Sequence, residues 1–134
     1  REEAMIVPHS MTVAELARGL ETRALIALDP RDAEVFAGAH IPGSWSATPS
    51  ALVRRLRDSD DALFAALFSG RARRVCVVAD TDEQAAAATA LLAEVGLTDV
   101  ATLPDGVRAW RRSGRPVNRA FGPRRETVTA GDVR

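Results

Sequence analysis

The chain has 134 residues, the size of a single domain with one core. Its residues are 46% hydrophobic and 27% charged, and 18 cationic side chains balance 18 acidic ones, which excludes a disordered chain and a nucleic-acid footprint built from bulk charge. Apolar runs fall short of a membrane-spanning helix, and no charged-then-apolar leader opens the chain, so no membrane association and a cytoplasmic location are expected. The 1 cysteine, Cys76, excludes an intrachain disulfide framework and most structural zinc sites, and the 2 histidines, His9 and His40, are too few for a histidine-rich metal site. Neither a metal nor any other cofactor is expected. Every cation is arginine, lysine and tyrosine are absent and alanine is abundant, a bias of GC-rich coding rather than of binding. Residue 1 is Arg, so the chain is expected to be a processed product or a piece of something longer.

In chain order, residues 1–9 read as an N-terminal lead with His9 exposed. Thr12-Val-Ala-Glu15 is a capping box that starts a helix running to about Leu20. Ala24 to Leu28 is a continuous apolar run, the pattern of a strand buried on both faces. Asp29-Pro-Arg31 breaks it, and Asp32 to Ala37 makes one or two helical turns. His40-Ile-Pro-Gly-Ser44 is a turn punctuated by Pro42 and Gly43. Thr48-Pro49 supplies a cap and an N1 proline for a helix over Ser50 to Arg57. Asp60-Asp61 opens another, with Leu63, Phe64, Leu67 and Phe68 as its apolar face and Gly70 as its stop.

Arg74 to Ala79 is the clearest strand. Thr81-Asp-Glu-Gln84 is a second capping box, leading into an alanine-rich helix that ends at about Val95 and Gly96. Val100 to Leu103 is a short strand, and Gly106 to Arg112 a last helix before Gly114 and Pro116-Val117. Strands separated by helices predict an α/β fold: a central parallel sheet of about five strands with helices on both faces. In such sheets ligands sit at the carboxyl ends of the strands, here the segments Asp29–Arg31 and Ala79–Gln84.

Two ordered motifs then resemble the rhodanese-like (sulfurtransferase homology) family over residues 10–118. The first is Leu28-Asp-Pro-Arg31 with Glu34, Phe36 and His40-Ile-Pro-Gly-Ser44; the second is Leu103-Pro-Asp-Gly-Val-Arg-Ala-Trp110 with Gly114-Arg-Pro-Val117. The resemblance implies a structural role for Asp29, Arg31, His40, Gly43, Gly106 and Trp110. It also implies a loop of the form Cys-x-x-Gly-x-Arg, whose cysteine carries a persulfide and whose amides, at a helix N-terminus, cradle an anion.

The family's helix after that loop ends in Leu-x-x-x-Gly. Placing Leu92 and Gly96 there puts Ala79 at the cysteine position, followed by Asp80, Thr81, Asp82, Glu83 and Gln84. Asp82 then replaces the glycine and Gln84 the arginine. The expectation is a vestigial site with no catalytic residue, acidic where the family is cationic, with Thr81 capping the helix from within.

Other candidates read more plainly. Cys76 lies inside a strand, where burial raises a thiol's pKa and keeps it inert. Alternation puts it on the same face as Val78 and opposite Ala79. His40 is expected to brace its loop, the resemblance implies a structural ion pair or loop brace for Asp29 and Arg31, and Trp110 is expected in the core. Trp45 belongs at a pocket rim or an interface. The arginine clusters at 54–57, 71–74, 111–112 and 124–125 are solvated faces.

Residues 119–134 read as a linker. Val128-Thr-Ala-Gly-Asp-Val133 echoes Met11-Thr-Val-Ala-Glu-Leu16 and is what the start of another copy would look like. The expected function is a catalytically inactive module of a larger tandem sulfurtransferase, structural or regulatory, partnered by another rhodanese-like domain or a different protein. The alternatives are a sulfurtransferase that uses Cys76 through an unusual loop, and a sensor of a neutral or cationic small ligand.

Overall fold

The computed structural model describes residues 9–70 and 74–119. The arginines at 71 and 73, those at 124 and 125, the lead before His9 and the echo at 128–133 lie outside the described residues. Within them the order is β1 (His9–Ser10), α1 (Val13–Thr22), β2 (Leu25–Asp29), α2 (Ala33–Gly38), β3 (Trp45–Ser46) and α3 (Pro49–Arg55). Then follow α4 (Ala62–Ser69), β4 (Arg74–Val77), α5 (Asp82–Glu94), β5 (Val100–Thr102) and α6 (Gly106–Arg112). The strands form one five-stranded sheet in the order β1-β5-β4-β2-β3, every pair parallel.

Four of the six helices, α1, α3, α4 and α5, begin at a residue whose side chain caps them. Thr12 closes a full capping box: its hydroxyl accepts the Glu15 amide at 3.0 Å while the Glu15 carboxylate accepts the Thr12 amide at 2.9 Å. Thr48 caps α3 with Pro49 behind it, and Asp61 accepts the amides of Leu63 and Phe64 to cap α4. Each such cap contributes about 1 kcal/mol of helix stability.

The sheet is covered on both faces, so β2 and β4 are apolar runs rather than alternating patterns. On one face Ile26, Leu28, Val75, Val77 and Ala79 pack against Leu52, Leu63 and Leu92 from α3, α4 and α5. On the other, Leu25, Ala27, Cys76 and Val78 pack against Leu16 of α1 and Val107 and Trp110 of α6. The strict alternation along β4 separates Cys76 from Ala79 by the thickness of the sheet.

Four local details differ from the sequence reading. β1 and β3 are two-residue strands at the sheet edges, too short to leave a periodic pattern. α1 extends to Thr22, where Arg23 ends it in the left-handed conformation and donates to the carbonyls of Gly19 and Leu20. The apolar face of α4 is narrower than expected: Leu63 and Leu67 are buried, but Phe68 is 42% exposed and meets Phe64 at a tilt, with ring centroids 4.7 Å apart. Finally, Gln84 does not complete a capping box on Thr81; its side-chain oxygen accepts the amide of Asp80 instead, at 2.9 Å.

Candidate functional site

The carboxyl ends of β2, β4 and β5 converge, as a parallel sheet requires, on the segments that carry the sequence motifs. β2 ends in Asp29, which is fully buried. Such a carboxylate must be paired and hydrogen-bonded, and Arg31 does both. Its Nε donates to Oδ1 at 2.8 Å and its Nη2 to Oδ2 at 2.8 Å, a two-pronged clasp reinforced by the Arg31 amide on Oδ1 at 3.1 Å. Nη2 also donates to the carbonyl of Ala39 at 2.8 Å, which ties β2 to the end of α2. Burial pulls the Arg31 pKa down, but the hydrogen bonds and charge of Asp29, with the charge of Asp80, more than offset it and hold the guanidinium above its ordinary value.

His40 sits one residue past Ala39 and is also buried. Its ring stacks on Phe36, with centroids 3.8 Å apart and planes 10° from parallel, and its Nδ1 donates to the Phe36 carbonyl at 2.8 Å. Its backbone exchanges both hydrogen bonds with Asn118, at 2.9 and 2.8 Å. Gly43, at φ +87°, makes the turn that follows. Both the ring and the backbone of His40 are therefore engaged in holding loops together.

β4 runs out through Val78 into Ala79, which is 7% exposed and packs with the α3–α5 side of the core. The loop that follows is held by its own side chains. The Thr81 hydroxyl accepts the Gln84 amide at 3.1 Å, and Gln84 accepts the Asp80 amide. Opposite, Asp105 adopts φ +64° and Gly106 φ +48° at the start of α6. Gly106 is pressed against the Ala79 carbonyl, where a Cβ would come within 2.5 Å of the oxygen. Trp110, one helical turn on, is 5% exposed and donates its Nε1 to the carbonyl of Pro116 at 2.8 Å.

Between these two loops lies a cavity of about 190 Å³ lined by Ala79, Asp80, Thr81, Asp82, Leu103 and Asp105 among others, with no arginine in its wall. Asp105 is paired with Arg112 at 3.1 Å on the outside. Asp80 lies 4.0 Å from Nη1 of Arg31. Glu83 is exposed and not part of the wall. Cys76 is absent from it too: the thiol is fully buried on the opposite face of the sheet, and burial pushes its pKa up to about 12, against a small downward pull from Arg74.

Two larger grooves, about 490 and 880 Å³, open elsewhere, beside β1 and beneath Trp45. Size does not make either the better candidate, since neither contains a motif residue other than Pro42 and Gly43. Trp45 itself is half-buried in β3, with the Arg55 guanidinium 5.7 Å above its ring. The described residues contain no group of three or more His, Cys, Asp or Glu side chains able to hold a metal ion, and no helix long and apolar enough to cross a membrane.

Comparison with known proteins decides what this arrangement is. The family model of the rhodanese-like domain matches residues 12–113. The chain belongs to the rhodanese-like domain family. Among solved structures, the Alr3790 protein from Anabaena sp. is 27% identical with a TM-score of 0.66, over 83% of this chain and 82% of that one. The solution structure of the rhodanese-like domain of Alr3790 covers 96% of this chain and 91% of its own at 25% identity, with a TM-score of 0.62. Thiosulfate sulfurtransferase from Pseudomonas aeruginosa is 25% identical with a TM-score of 0.60; the match takes in 86% of this chain but 22% of that protein. No curated protein matches this rhodanese-like chain by sequence.

Proposed function

We propose that this rhodanese-like domain carries no sulfurtransferase chemistry and acts as a structural or regulatory module of a larger, tandem rhodanese-like protein. The observation that carries the reading is Ala79. It stands at the carboxyl end of β4, at the head of the loop into α5, where the family's motif calls for a nucleophilic cysteine. Around it the residues of an anion cradle are exchanged for ones that oppose it: Asp82 for a glycine, Gln84 for an arginine, and Asp80 at the cavity wall. The one thiol available is sealed inside the core on the far face of the sheet.

The match to 22% of the Pseudomonas aeruginosa sulfurtransferase supports the modular part of the reading, since there a segment of this size is one portion of a longer chain. The partner that follows from it is another rhodanese-like domain or a different protein, met in the cytoplasm, where a lone reduced thiol is at home.

Thiosulfate incubation followed by intact-mass measurement tests the reading. The native domain is expected to gain no sulfur. A cyanide-labile adduct on Cys76 would establish an atypical sulfurtransferase in its place. The triple variant Ala79→Cys, Asp82→Gly, Gln84→Arg is expected to form thiocyanate from thiosulfate and cyanide. A folded triple variant without any activity overturns the assignment of Ala79 to the nucleophile position.

A further inference from the structure

We infer that Asp80 is the residue that sets the charge preference of this site, by serving as an internal counter-ion to Arg31. Arg31 is 5% exposed, and the nitrogens of its guanidinium are unequally employed. Nε and Nη2 are committed to Asp29 and to the Ala39 carbonyl at 2.8–3.1 Å, whereas Nη1 is directed at the Asp80 carboxylate, 4.0 Å away. Asp80 in turn is 46% exposed on its side chain and lines the cavity beside Ala79. A buried cation with one edge left over after its hydrogen bonds is suited to meet an oxyanion. Here a carboxylate of the same chain covers that edge.

Two amides of the loop are also covered by side chains of the same loop. Asp80 N–H is taken by the side-chain oxygen of Gln84, and Gln84 N–H by the hydroxyl of Thr81. Two amides at the loop are thus hydrogen-bonded by residues 84 and 81, and the Arg31 edge is faced by the Asp80 carboxylate at 4.0 Å. Of these only Asp80 carries charge, so only its removal changes the sign of the field that a small dianion meets. Asp82 and Asp105 lie in the same wall, but Asp105 is paired with Arg112, and Arg31 makes no contact with either among the described residues. The inference rests on the reading of the Ala79 loop as a vestigial anion cradle, and it names which side chain keeps that cradle closed.

The test is a titration of sodium sulfate into the native domain and the Asp80→Asn and Asp82→Asn variants, at constant ionic strength so that screening is equal. Sulfate binding is read from the rise in Tm. Asp80→Asn is expected to bind sulfate roughly tenfold more tightly than the native domain, the size of effect that removing one charge within a few ångströms of the ligand produces. Asp82→Asn removes the same charge without touching Arg31 and is expected to shift the affinity by less than about threefold. Equal gains from both variants would mean that the general field, not the Arg31 contact, governs the site, and no gain from Asp80→Asn would overturn the assignment outright. Asp80→Ser is the second variant; if neither it nor Asp80→Asn folds, Asp80 is a structural residue and the assignment fails. Sulfur uptake by the native domain would sink the inactive reading while leaving the sulfate comparison intact, so the two failures are distinguishable.

Discussion

Gly106 and Ala79 are in backbone contact: an added methyl group at residue 106 would lie 2.5 Å from the Ala79 carbonyl oxygen and 3.3 Å from its carbonyl carbon. The glycine of the second sequence motif is therefore the wall against which the end of β4 rests. Gly106→Ala must move one of two strands of backbone and hold a non-glycine residue at φ +48°. The expected loss is on the order of 2–3 kcal/mol. Gly114→Ala separates the two causes, because Gly114 has φ +88° with open space around it and should lose about 1 kcal/mol from conformation alone. Urea denaturation of both variants checks this, and equal losses would show that the Ala79 contact costs nothing.

The Asp29–Arg31 clasp makes a second prediction. Deleting one member of a buried, bidentate pair strands the other charge, at about 3–5 kcal/mol. Asp29→Ala should therefore destabilise the domain severely, by that amount in urea denaturation. Arg31→Met should cost about as much. A loss below about 1 kcal/mol for Asp29→Ala would demote the clasp to the worth of an exposed pair.

Cys76 should behave as a core residue in every assay. With its pKa pushed up to about 12, the folded thiol stays protonated and out of reach. An alkylating reagent at mildly alkaline pH should label it only after denaturation. The folded value lies above the unfolded one, so the stabilisation is complete below the unfolded thiol's pKa and is lost as pH rises through the folded value. Cys76→Ala should lose that alkaline dependence. Rapid labelling of the native domain would contradict the burial.

Asp61 carries a pH dependence of the opposite sign. Burial acts to raise its pKa, but Arg55, at 2.9–3.0 Å, and the amides of Leu63 and Phe64 outweigh it and hold the carboxyl below its ordinary value. The unfolded chain therefore binds the proton more readily. The stabilisation is present above the unfolded carboxylate's pKa and disappears as pH falls through the folded one. Asp61→Asn should be less stable than the native domain at neutral pH, with the gap closing in acid. A gap independent of pH would assign the difference to packing instead.

Much of this fold is legible in the chain because its signals are chemical and local. Thr12, Thr48 and Asp61 announce helix starts by the acceptors they carry, and the runs 24–28 and 74–79 announce strands covered on both faces. What escapes is what depends on partners distant in sequence. His9–Ser10 forms a strand only because β5 offers Ala101 and Thr102 to pair with, and Trp45–Ser46 only because β2 offers Leu28 and Asp29. At the loop, the spacing of Thr81 and Gln84 matched a capping box, but the glutamine reaches one residue further back, to Asp80. No spacing rule discloses that Arg31, 49 positions earlier, points one edge of its guanidinium at the same residue. Charge composition marked the loop as acidic; only the fold shows which acid faces a cation.

The shared family stretch ends at residue 113, yet the chain goes on to build structure. Pro116 receives the indole hydrogen of Trp110, Asn118 zips against His40, and Arg119 reaches the carbonyl of Gly38 at 3.0 Å. At the other end His9 and Ser10 lie ahead of residue 12 and finish the sheet. The stretch recognisable by ancestry and the stretch that folds are thus different objects. An expression fragment trimmed to residues 12–113 would lose an edge strand and the strap across the His40 turn, leaving Trp110 with an unanswered N–H. The packed structure of the described residues extends from His9 to Arg119, and a boundary drawn by homology alone would cut through its seams.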